Sequence, residues 1–412
     1  MTTARAWMAA ALGLTLSVGC QPISPEDDEP YAGVDAGVQL DPATQIQVEE
    51  ELNAQLTAAL PLHVRWSTSA LGGERLRLVQ LTDRELLVVT QRWHLYAVDR
   101  KTGITSWMMQ LRHPLARQGV ERRTVPFAVS SEFLYVLYEG DVLGAIWRSS
   151  GRPRWLRKIT EFTPGTFLAA NDFYCYVGAL DKNRFFAIRE SDQGIAWDAA
   201  TTDAVVAAPL EMQGTVVYLS DQSGGTHALD AARGGHLWRH QAARGTQADL
   251  YAKGGMLYVG SLDHALYGLD RTSGVPKWVF ETGGPIEEPA QAAGDTVYVR
   301  AIDPPDRFGT LGEPTLFAID DKSGEERWRL RRGMRLLFRG QKFAYVLREG
   351  GVMVIVENDT GRVRKPSEDI DGYPLAQAFP FMLTNDTDDV LFLATGDGFL
   401  FALQETDPNP YK

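Results

Sequence analysis

Cysteine is nearly absent from this chain: of 412 residues, only Cys20 and Cys175 carry a thiol. Two thiols cannot supply a disulfide framework, a four-thiolate zinc site or an iron–sulfur centre. Cationic charge is also short, with 41 Lys and Arg against 53 Asp and Glu and a net charge of −12. A chain of that sign repels polyphosphate, so nucleic acid is not an expected partner. No Gly-x-Ser-x-Gly elbow, phosphate-cradling glycine loop or Cys/His cluster of ligand spacing occurs. What remains is 44% hydrophobic and 23% charged, the composition of a folded globular chain. The length allows two or three domains or one large repeat architecture.

The N-terminus reads as an address. Arg5 precedes an apolar stretch, Ala6 to Gly19, which suits a signal peptide (residues 1–19) and is too short to span a bilayer. It ends in Leu16-Ser17-Val18-Gly19-Cys20, which resembles a bacterial lipobox, although Leu16 stands one place earlier than that motif's leucine. The resemblance implies a lipid on Cys20, and Gln21 in place of Asp implies the outer membrane. Residues 20–43 are expected to form an acidic tether. Gln21 to Glu51 holds nine acids and no Lys or Arg, and without it and Arg5 the rest of the chain carries −4. Such a segment self-repels and extends. A short helix is expected over 44–60, introduced by Asp41-Pro42 as cap and first turn, with Ile46, Val48, Leu52, Leu56 and Ala59 on its apolar side.

Internal repetition dominates the remainder. Leu95-Tyr96-Ala97-Val98-Asp99 through Gly103 to Trp107 recurs as Leu266 through Gly274 to Trp278, and as Leu316 through Gly324 to Trp328. Weaker copies place Ala145 before Trp155, Ala187 before Trp197 and Ala228 before Trp238. A seventh keeps Ile355 and Gly361 but has Lys365 where Trp is due, and an eighth, Leu400-Phe401-Ala402-Leu403, stops short of any Trp. Each copy holds two alternating runs, a Gly-containing turn and the Trp strand, with a further strand in the connection to the next. Four strands at a period in the forties predict a β-propeller blade, and eight copies an all-β, eight-bladed propeller over residues 61–405, followed by a tail, 406–412.

Closure is expected from the two chain ends. The last copy lacks its Trp strand, while Leu62-His63-Val64-Arg65-Trp66-Ser67 is a Trp strand without a copy. Joined, they complete the eighth blade and leave no open edge. Trp66, Trp107, Trp155, Trp197, Trp238, Trp278 and Trp328 then hold one equivalent, blade-docking place, each burying roughly 150–250 Å².

These Ala, Asp, Thr-Gly and Trp positions resemble the pyrroloquinoline-quinone-like repeat, and with the lipoprotein signal the chain is similar to the BamB family of outer-membrane assembly lipoproteins. The resemblance implies a non-catalytic, lipid-anchored propeller facing the periplasm, without cofactor, whose partners are envelope proteins, including the outer-membrane β-barrel assembly machinery. Two other readings stand beside it: a small quinoprotein dehydrogenase, and a surface-displayed recognition propeller of a secretion, motility or adhesion system. Quinoproteins with this repeat resemble one another in an adjacent-cysteine disulfide, calcium ligands and a catalytic Asp, none of which can be matched here. Cys175 reads as a small core residue. His236 and His240 fall on a strand, about 13 Å apart and too far to share an ion. Asn385 to Asp389 reads as a polar turn, since Leu391 stands where a calcium loop requires Gly.

Length variation marks one face. Three connections are expanded: Arg112 to Arg123, Asp303 to Gly312, and Pro366 to Pro380. In an alternating meander, connections between blades and those between second and third strands emerge on the same side, where repeat proteins commonly bind. Arg117, Arg122, Phe308, Glu368 and Tyr373 are the candidate interface residues.

Overall fold

The computed structural model describes residues 41–69, 71, 73–111, 126–138, 141–205, 209–212, 214–302, 312–364 and 372–405. Alternating apolar runs of five to seven residues, separated by Gly and Asx turns, form successive antiparallel strands. They assemble into eight separate sheets. Blade 1 spans Leu76–Gln110, blade 2 Phe127–Lys158, blade 3 Pro164–Ala200 and blade 4 Leu210–Gln241. Blade 5 spans Tyr251–Glu281, blade 6 Gln291–Arg331 and blade 7 Gly333–Arg364. Blade 8 combines Phe381–Leu383, Val390–Ala394 and Leu400–Glu405 with the N-terminal strand Leu62–Thr68. The result is an eight-bladed β-propeller closed by both chain ends, Leu62 pairing Glu405 and Thr68 pairing Leu400.

One row of side chains explains the repeat. Across blades 3, 4 and 6 the small residue of the third strand pairs with a Tyr on one side and the Trp on the other: Tyr176–Ala187–Trp197, Tyr218–Ala228–Trp238 and Tyr298–Ala318–Trp328. Because the middle side chain is only a methyl group, the flanking rings approach to 5.7–5.8 Å between centroids. In blades 3 and 4 both polar tips then reach the next blade. The Ala231 carbonyl accepts the Tyr176 hydroxyl at 3.0 Å and the Trp197 indole N–H at 3.1 Å, and the Arg271 carbonyl takes the same pair from Tyr218 and Trp238 at 3.0 and 3.1 Å.

Trp66 performs the same docking across the ring closure, donating to the Arg100 carbonyl at 3.0 Å. The Arg100 side chain reaches back into blade 8, where its guanidinium donates to Asn385, Thr387 and Asp388 at 3.3, 3.2 and 2.8 Å. The polar turn at 385–389 therefore clasps blade 1. Arg148, one blade on, repeats the arrangement on Glu85 at 2.6 Å.

Blade 7 departs from the pattern. Its fourth strand is only Val363–Arg364, and the edge is shared with Tyr373–Pro374, which pairs Val352–Met353. Among the described residues no Trp wedges this junction; a cluster of Leu56, Leu60, Phe338, Tyr345, Tyr373, Phe379 and Phe401 fills it. Leu56 comes from the helix Pro42–Ala59, which begins two residues before the expected start, with Asp41 as N-cap accepting from the Ala43 and Thr44 N–H groups at 3.1 Å. Val48 and Leu52 join the cluster, but Ile46 stands 56% exposed, on the opposite side from its expected place. Among the described residues, no helix is long and apolar enough to cross a membrane.

Candidate binding cleft on the insertion face

The strands bracketing the three expanded connections are Thr105–Gln110 and Phe127–Val129, Thr296–Ile302 and Pro314–Asp320, and Val363–Arg364 and Phe381–Leu383. By the alternation of the meander, all three connections leave from one face. Of the residues singled out there, Arg117, Arg122, Phe308 and Glu368 lie outside the described residues, as does Cys20. Tyr373 is described, and its expected role needs correction. It is 4% exposed, with its ring in the blade 7–8 cluster. The two-residue outer strand of blade 7 leaves a gap that the segment around Tyr373 fills, so this side chain serves the core and is not displayed.

The same face carries a cleft between blades 6 and 7, of about 460 Å³. One wall is Tyr298, Arg300 and Leu316 of blade 6 with Glu288, Pro289 and Gln291 from the connection leading into it. The other is Met334 and Arg335 of the first strand of blade 7 and the turn Leu347 to Gly351. Gly351 abuts the later part of the third expansion: a Cβ there would lie 2.0 Å from that of Ala376, and its carbonyl accepts the Leu375 N–H at 3.1 Å. The cleft thus sits between the 303–312 expansion, which Arg300 precedes by three residues, and the 366–380 expansion.

Its electrostatics are asymmetric. Both acids are already engaged: Glu288 with Arg300 at 2.7 Å and Glu349 with Arg332 at 3.0 Å. Arg335 donates to the Met382 carbonyl, and burial pulls its guanidinium below the ordinary arginine value, against the opposing charge of Glu288. Neither Arg335 nor Arg348 has a carboxylate partner among the described residues. Two guanidinium groups without a carboxylate partner therefore line a cleft whose apolar walls are Pro289, Leu316, Met334 and Leu347. These residues escaped the sequence reading because they come from two copies of the repeat and lie 13 residues apart within blade 7; the available signal was the position of Arg300 beside an expansion.

Elsewhere, His227 and Asp221 form a buried pair at 2.9 Å. Burial alone would raise the Asp221 carboxyl, but hydrogen bonds from His227, Ser223 and the Gly225 N–H outweigh it and hold the group well below the carboxylate range. Cys175 is fully buried, and burial pushes its thiol far up, the behaviour of an inert core residue.

An eight-bladed ring with Tyr–Ala–Trp rows defines this chain as a β-propeller of the pyrroloquinoline-quinone-like repeat class. A family model described as outer membrane protein assembly factor BamB matches residues 53–209, 162–248 and 222–369. The chain belongs to that family. No curated protein matches its sequence. Among solved structures it is similar to BamB from Moraxella catarrhalis, at 15% identity and TM-score 0.58, covering 83% of this chain and 97% of that one. It is also similar to the computationally designed Ika8 protein, at 12% identity and TM-score 0.57 over 80% and 96% of the two chains. A third is quinohemoprotein alcohol dehydrogenase from Comamonas testosteroni, at 12% identity and TM-score 0.56 over 90% and 78%. At these identities the likeness shows the fold.

The last neighbour, a quinohemoprotein by name, raises the question of a bound quinone. Among the described residues, no group of three or more His, Cys, Asp or Glu side chains is gathered to hold a metal ion. Cys175 has no neighbouring cysteine with which to form an adjacent disulfide.

Proposed function

We propose that this protein is a non-catalytic scaffold, anchored to the outer membrane through a lipid on Cys20, that docks other envelope proteins and serves a BamB-like role in outer-membrane β-barrel assembly. Membership of the BamB family supports the role. The observation that carries the docking reading is the cleft between blades 6 and 7, set between two expanded connections on one face of a closed ring. A rigid ring holds such a face in fixed geometry, so a partner gains charge complementarity and hydrogen bonds without the scaffold having to order itself. The acidic tether suits the anchor, since it repels anionic head groups and keeps the ring off the bilayer.

Photo-crosslinking from envelopes tests the proposal. Crosslinkers at Arg117, Phe308 and Glu368 should capture components of the barrel-assembly machinery, whereas crosslinkers at Thr102 and Lys322, in third-to-fourth-strand turns on the opposite face, should not. Capture of no assembly component from the insertion face overturns the role. Mass analysis of the mature N-terminus should find acyl chains on Cys20, and an unmodified terminus overturns the anchor.

A further inference from the structure

We propose that the cleft between blades 6 and 7 is a receptor for a carboxylate head group carrying an apolar body one or two residues long, the chemistry of a polypeptide's free C-terminal end or of a small apolar acid. The cleft walls carry two guanidinium groups, Arg335 and Arg348, that have no carboxylate partner among the described residues. Arg300 and Arg332 already neutralise the two wall acids, Glu288 and Glu349. Arg335 uses one N–H on the Met382 carbonyl, and a guanidinium has five to give. The Arg348 side chain makes no hydrogen bond or ion pair with the described residues; its main-chain carbonyl accepts the Gly351 N–H at 3.1 Å. A half-buried guanidinium without an acid has lost hydration that no carboxylate among the described residues replaces, and a carboxylate is the planar, two-oxygen group that its fork best accepts. The rest of the lining selects the body of the ligand. Pro289, Leu316, Met334 and Leu347 are apolar, and a space of about 460 Å³ admits one or two large side chains and excludes a folded element. Gly350 keeps the rim low at one point, where a Cβ would meet nothing within 4 Å, so an extended chain can enter there.

The inference deepens the reading of this face as the docking face and is tested on the isolated full chain. Calorimetric titration uses N-acetyl-Leu-Phe, its C-terminal amide, and a hexapeptide with the same free end. The free acid should bind about tenfold or more tightly than the amide, and the difference should shrink as salt is raised. Arg348→Gln should weaken the acid about fivefold or more and leave the amide unchanged, with Arg348→Lys intermediate. Unchanged thermal unfolding of these variants separates lost binding from lost fold. Equal affinity of the hexapeptide identifies a polypeptide end as the occupant; binding of the dipeptide acid alone identifies a small acid. Equal binding of acid and amide, no binding of any probe, or an Arg348→Gln variant with wild-type affinity overturns the proposal. Failure here leaves envelope crosslinking free to succeed, because an insertion face can dock a partner without using this cleft.

Discussion

The indole N–H of Trp155 donates to the Glu190 carboxylate at 3.2 Å, whereas the other six repeat tryptophans donate to a main-chain carbonyl of the next blade. The cause lies three residues further on. Six blades place a glycine with positive φ under the incoming indole, as Gly274 does at φ +71°. Blade 3 has Gln193 there, at φ +57°. Its Cβ takes the space that the indole face would occupy, so Trp155 stands further out and finds the carboxylate.

Gly274→Ala should therefore cost about 2–4 kcal/mol, combining left-handed strain with overpacking, because its Cβ would lie 2.4 Å from Trp238. Gln193→Ala, at the equivalent position of blade 3, should stay within about 0.5 kcal/mol. Denaturant midpoints of the two variants check the contrast, and equal losses would remove the explanation.

Trp66→Ala should destabilise by about 3–5 kcal/mol, since Trp66 is 9% exposed and docks the closing strand onto blade 1. Trp155→Ala should cost roughly half as much, its ring being only partly buried. Thermal unfolding of both variants measures the difference.

Acid should weaken the blade 3–4 junction. The Asp221 carboxyl is depressed in the folded state, so its contribution is fully present above the unfolded value near pH 3.9 and is lost as pH falls below it. Asp221→Asn should cost about 2–4 kcal/mol at neutral pH. The gap in melting temperature between variant and wild type should close as pH falls below about 4. A gap independent of pH would show that the carboxylate charge contributes nothing.

Leu56→Ala should loosen the junction that has no tryptophan. Leu56 is 2% exposed in the blade 7–8 cluster, and its truncation should cost about 2–4 kcal/mol. Amide exchange should accelerate in Val352–Glu357 and Leu400–Glu405 before it does in blades 3 to 5. Uniform acceleration would mean that the helix Pro42–Ala59 does not replace the missing wedge.

The docking tyrosines were legible in principle, since Tyr176, Tyr218 and Tyr258 recur ten or eleven residues before the small residue of their blades. Loop expansions vary that spacing to twenty in blade 6, and a motif anchored on Trp misses them. Tyr373 misled for the opposite reason: it sits in an expanded connection, the usual place for exposed residues, but a shortened strand next to it drew it into the core. The arginines of the cleft could not be assembled from the sequence, because each belongs to a strand whose two faces look toward different blades.

The sequence by itself determined the eight-fold repeat, the four-stranded blade and the closure by Leu62–Thr68, because strand alternation, Asx–Gly turns and tryptophan spacing are local and are written once per copy. Tertiary structure alone decided that Arg100 clasps the Asn385 turn, that Leu56 fills the place of a tryptophan and that Arg300, Arg335 and Arg348 share one cleft. Those contacts cross blade boundaries, and which side chains meet there depends on the rotation between neighbouring sheets, which follows from packing volumes around the whole ring and not from any single copy.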